Sequence, residues 1–71
     1  MDKQFFRALL LLVNTKTQYS LLKEYAAKRI DLLQAQLSTE LDMDRVKRMQ
    51  GSIAELRRIE TLRDEVIKGA E

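Results

Sequence analysis

The chain has no cysteine, no histidine and no proline, and only two glycines among its 71 residues. Without cysteine there is no disulfide, no thiolate metal ligand and no thiol nucleophile, and the composition fits a reducing compartment. Without histidine the commonest metal ligand and the commonest general base are both missing. Ser20, Ser38 and Ser52 therefore have no imidazole to activate them, and there is no phosphate-cradling glycine loop. Aromatic residues are few, two Phe and two Tyr with no Trp; they read as core or interface residues rather than base-stacking platforms. Neither sign of charge dominates, with 13 basic and 11 acidic residues giving a net charge of +2. The two signs are interleaved, whereas a dedicated nucleic-acid binder concentrates its basic residues in one patch.

A long hydrophobic run is missing too. The most apolar stretch, FRALLLLV from Phe6 to Val13, falls well short of the about 20 residues that span a bilayer. It lacks the basic polar face of a membrane-surface helix. It also makes a poor signal peptide, because Asp2 spoils the basic n-region and Asn14-Thr15-Lys16 is not a small-residue cleavage site. The expectation is a mature, soluble, untargeted chain that makes no use of a membrane.

What is present is helix-forming. Leu, Ala, Arg, Lys, Glu and Gln predominate, which points to an all-α protein. Seventy-one residues make a single helical domain. A domain this small buries only about 60% of the surface its unfolded chain exposes, so with disulfides and thiolate metals removed, oligomerisation is the support left open. Three segments emerge: a short helix over about 3–13 and two long helices over about 17–38 and 43–68. Asp2 suits the N-cap of the first, in which Phe5, Phe6, Leu9, Leu10, Leu12 and Val13 leave almost no polar face; a helix apolar all round is normally buried. Asn14 to Thr17 is the first break, and Thr15 followed by Gln18 fits a capping box.

The second segment carries a stripe at Tyr19, Leu22, Ala26, Ile30, Leu33 and Leu37, with steps of three and four. A spare stripe, Leu21, Tyr25 and Leu32, lies roughly 130° round the helix at about 100° per residue. The remaining arc is mostly polar, with Glu24 and Lys28 as a favourable i,i+4 pair. Ser38 to Met43 is the second break, where Thr39, Asp42 and Asp44 are candidate caps. The third segment repeats the pattern at Val46, Met49, Ile53, Leu56 and Ile59, extended by Leu62 and Val66. Its consecutive steps of three leave room for a kink near Glu60-Thr61, and Gly69 ends it.

With a turn near Leu41, the two long stripes match as Leu37 with Val46, Leu33 with Met49, Ile30 with Ile53, Ala26 with Leu56, Leu22 with Ile59 and Tyr19 with Leu62. These regular pairings predict an antiparallel helical hairpin of two long helices. Gly51, opposite Ile30, either permits a close helix approach or is merely tolerated. The short apolar N-terminal helix is expected to fold onto the spare stripe. Its surplus apolar surface, Phe5, Phe6, Leu9, Leu10, Leu12 and Val13, then implies a protein partner, a second copy or another protein. The competing reading is that these residues close a three-helix core within one chain.

No constellation points to catalysis. Asp42 and Asp44 beside Glu40 lack the spacing, the Gly and the terminal Glu of a calcium loop, and suit capping better. Glu55, Glu60, Asp64 and Glu65 sit among Arg57, Arg58 and Arg63 and read as a solvated charged face rather than paired acid/base groups. The chain reads as non-enzymatic, with no cofactor and no metal. Arg45, Lys47, Arg48, Arg57 and Arg58 are the candidate nucleic-acid contacts, diluted by Asp44, Glu55 and Glu60 and pointing in several directions.

The stretch from Tyr25 to Val66 carries a resemblance. A helix with Arg29, Ile30, Leu33 and Leu37 is followed by an acidic turn, then by Gln50, Gly51, Ile53, Glu55, Leu56 and Arg57. This resembles short helical-hairpin proteins encoded by tailed bacteriophages near head and portal genes. Those frames often carry a Pro-containing tail where this chain has Thr61-Leu62-Arg63. The resemblance implies a small virion or assembly accessory that oligomerises or docks on phage structural subunits, in the virion or the host cytoplasm, and it brings no catalytic residue. The alternatives are a nucleic-acid-associated accessory factor acting through the Arg-rich third helix and a small inhibitor of a host enzyme.

Overall fold

The computed structural model describes residues 1–71 and contains no strand. Its elements are α1 (Lys3–Asn14), α2 (Lys16–Leu37), α3 (Met43–Arg57), a 3-10 turn (Arg58–Thr61) and α4 (Leu62–Ala70). Short polar residues set the helix starts. The Asp2 carboxylate accepts the Phe5 N–H at 2.8 Å at the head of α1, and Asp42 accepts the Asp44 N–H at 3.0 Å at the head of α3. Between α2 and α3, Glu40 organises the turn. One of its carboxylate oxygens accepts the N–H groups of Leu41 at 3.2 Å and Asp42 at 3.1 Å. The other lies 3.4 Å from the Arg45 guanidinium. The acids at this corner are thus spent on otherwise orphaned backbone donors and on the positive end of a helix.

The junction of α1 and α2 differs from expectation. Only Thr15 is non-helical there, and it forms no capping box: its side chain caps nothing in α2. Instead its hydroxyl donates back to the Leu11 carbonyl and its N–H donates to the Leu12 carbonyl. A single extended residue between two helices serves either neighbour, and here the terminal carbonyls of α1 take it.

α2 packs along α3 and the 3-10 turn. Ala26, Ile30 and Ile53 are buried, while Leu22, Leu33, Leu37, Val46, Met49 and Leu56 are half-buried. Gly51 has open space where a Cβ would stand, so it is a tolerated glycine and not a contact point.

The third segment is not one helix to residue 68. It breaks at the 3-10 turn, and the cause comes from α2. In a continuous α-helix the Arg63 N–H would donate to the Ile59 carbonyl. Here the Tyr19 hydroxyl stands between them, donating to the Ile59 carbonyl at 2.7 Å and accepting from the Arg63 N–H at 3.2 Å. The Leu62 N–H takes the Ile59 carbonyl in the tighter i,i+3 pattern. Thr61 sits at φ −106°, ψ 11°, in the sparsely used bridge region. A side chain inserted into the backbone ladder is one of the few ordinary causes of a sharp helix bend without proline.

That break turns α4 onto α1, which is where the N-terminal helix goes. It does not fold onto Leu21, Tyr25 and Leu32, which remain exposed. The core is Val13, Tyr19 and Val66, with Phe6, Leu9, Leu10, Leu22, Ile59 and Leu62 packed against it. Gly69 does not end α4, which runs on to Ala70. It accommodates Phe6 instead: a Cβ at Gly69 would lie 2.5 Å from the Phe6 ring.

The result is a thin plate measuring 44 × 25 × 13 Å. The radius of gyration is 14.8 Å, against about 11 Å for a compact domain of this length. In so extended a shape each helix buries only the side that meets its neighbour.

Candidate interaction surface

The expected interface on α1 divides into two faces. Phe6, Leu9, Leu10 and Val13, at helical spacings of three and four, turn into the chain's own core, and Val13 is only 2% exposed. Leu12 is half-buried and Phe5 stays 49% exposed. The opposite face, Lys3, Gln4, Arg7, Ala8, Leu11 and Asn14, is exposed and mostly polar. The helix is therefore amphipathic and not apolar all round: the polar residues scattered between its apolar ones fall on one side at 3.6 residues per turn.

The unpartnered apolar surface lies mainly on α2. Leu21, Tyr25 and Leu32 are 61%, 59% and 58% exposed. With Lys28 completing the i, i+4, i+7, i+11 row, they form one stripe about 16 Å long at 1.5 Å per residue. Glu24 and Lys28 pair beside it at 3.8 Å. Periodicity places this stripe correctly, but α1, its expected occupant, packs on α4 instead. Leu41 and Met43, exposed at the far corner, and Leu11 were not singled out from the sequence. The solvent-accessible area of the chain is 5549 Å², where a compact monomer of this mass shows about 4,600 Å².

The charged candidates do not converge. Arg45 is held by Glu40. Arg58 lies between Glu65 at 3.0 Å and Glu55 at 3.6 Å, so two of the four acids expected on a solvated charged face flank an arginine across the break. Lys47, Arg48 and Arg57 form no ion pair, but Arg48 and Arg57 are nine residues apart and on opposite sides of α3 at about 100° per residue. No three side chains of His, Cys, Asp or Glu type gather as metal ligands would, and no helix is long and apolar enough to cross a membrane. Compared with protein-family models, with curated proteins and with solved structures, the chain matches none.

Proposed function

We propose that the protein is a non-catalytic protein–protein interaction component that associates with itself through the exposed face of α2. In this reading α2 and α3 run in opposite directions as a helical hairpin, and α1 with α4 closes its open end. The observation that carries the proposal is the stripe Leu21, Tyr25 and Leu32, left bare on an elongated molecule. The accessible area above 4,600 Å², about 1,000 Å², is close to the about 800 Å² that each partner contributes to an interface of standard size.

The stripe is suited to its own copy. A two-fold axis near Ala26-Ala27 makes two antiparallel α2 helices isologous. Leu21 of one copy then faces Leu32 of the other, Tyr25 faces the stem of Lys28, and Glu24 comes near Lys28 and Arg29, so the flanking charges are opposite in sign and attract. The resemblance of residues 25–66 to small tailed-phage proteins supplies the setting: a virion or assembly accessory whose copies, or whose neighbouring structural subunits, cover this face. The test is the solution mass of the wild-type chain and of Leu21→Asp with Tyr25→Asp. Association that is lost in the variant while its helicity is kept supports the proposal; a wild-type monomer at every concentration refutes it.

A further inference from the structure

A concavity where the end of α1, the first two turns of α2 and the start of α4 meet is lined by Asn14, Lys16, Tyr19, Ser20, Lys23 and Arg63 among its seven residues. None of the seven is acidic. Lys16, Lys23 and Arg63 form no ion pair, whereas Lys28, Arg45 and Arg58 each do. The neighbouring hollow between α1 and the 3-10 turn differs in kind, because there Glu55 and Glu65 neutralise Arg58.

Lys23 is also held in place, and the backbone fixes where Lys16 and Arg63 start. Lys16, Ser20 and Lys23 stand at i, i+4 and i+7, which is one face of α2. The Lys23 ammonium lies 4.8 Å from the centroid of the Tyr19 ring, a cation–π contact that steadies a flexible side chain. The Tyr19 hydroxyl accepts the Arg63 N–H at 3.2 Å, which sets the root of Arg63 at the far end of the same ring. Buried Tyr19 thus spaces a lysine over its face from an arginine at its hydroxyl, with a serine hydroxyl and an asparagine amide as further donors. Like charges brought together without an acid repel one another, and a compact oxyanion relieves that repulsion while accepting charge-assisted hydrogen bonds.

We infer that this concavity is a binding site for a phosphate group, either free inorganic phosphate or the phosphate of a small phosphoester. Lys23 and Arg63 supply the charge, Lys16 widens the field, and Ser20 and Asn14 donate hydrogen bonds. The site is centred on another side of α2 from the association face, with Lys16, Ser20 and Lys23 on average roughly 150° round the helix from Leu21, Tyr25 and Leu32 at about 100° per residue, although Lys16 and Ser20 also border a hollow with Leu21 and Glu24.

The experiment is a titration of the isotope-labelled chain with inorganic phosphate at constant ionic strength, read by amide chemical shifts, and repeated with a mononucleotide. The expected result is saturable shifts confined to Asn14–Lys23 and the start of α4, with a dissociation constant on the order of 1 mM. Lys23→Gln with Arg63→Gln weakens it at least about tenfold through lost charge-assisted bonds. Folding is retained, because the Arg63 contact to Tyr19 uses the backbone. Lys47→Gln with Arg48→Gln leaves the affinity unchanged. A mononucleotide that binds tighter than phosphate assigns the site to a phosphoester, and equal affinity assigns it to the free anion. The inference is overturned by an absence of saturable shifts, by the same shifts from chloride, or by undiminished binding in the Lys23/Arg63 variant.

Discussion

Tyr19 does more than any other residue to shape the molecule. Its ring is part of the core, and its hydroxyl replaces one backbone hydrogen bond of the third segment with two of its own. Tyr19→Phe leaves the Ile59 carbonyl and the Arg63 N–H facing a gap. They either stay unpaired or re-form the continuous ladder, which draws α4 away from α1. The expected loss is about 1–3 kcal/mol in denaturant unfolding, with weakened contacts between Phe6 and Gly69 by nuclear Overhauser measurements. A variant as stable as wild type contradicts this role. The two glycines make a paired test with opposite signs. Gly51→Ala, with open space at its Cβ, should stabilise by about 1 kcal/mol through helix propensity alone. Gly69→Ala drives a methyl into the Phe6 ring and should destabilise by about 1–3 kcal/mol; thermal melts of the two variants suffice to check the signs.

Between elements, the deciding feature is the bend that α2 imposes on the third segment. The starts of α1 and α3 were legible in the sequence because their caps are local: Asp2 and Asp42 act within three residues of themselves. The stripes on α2 and α3 were legible because helical periodicity is also local. Rotation of the third stripe hinted at a kink, but its cause was hidden, since the inserting hydroxyl belongs to a residue 40 or more positions away. The destination of α1 was lost with it. A straight third segment offers α1 no partner except the spare face of α2, whereas a bent one offers Leu62, Val66 and Gly69. The consequence is testable at this scale. Phe6→Asp with Leu10→Asp should unfold the chain and not simply disperse an assembly, because both partly buried side chains pack against the core and a charge there loses a share of the about 1.5–3 kcal/mol that full burial of each would give. Circular dichroism of the variant reads the outcome, and retained helicity would return α1 to the role of an external docking element.

As a whole the molecule is an elongated plate, with six buried residues in 71. So small a core leaves little margin in a domain without disulfides, and binding a second copy adds stability that rises with concentration. Neither the area of the plate nor the vacancy of the α2 face could be read from the sequence, because both follow from where α1 settles. The anion pocket was hidden for the same reason: Lys16 and Lys23 share a face of α2 by spacing, but Arg63 joins them only through the bend at Tyr19.

The most direct test of the account is sedimentation equilibrium of the wild-type chain and of the Leu21→Asp, Tyr25→Asp variant over a wide range of concentration. Association through α2 requires a wild-type mass that rises with concentration to a defined multiple of 8.3 kDa and a variant that stays a folded monomer. A wild-type chain that remains a monomer throughout, or a variant that associates as the wild type does, would contradict it.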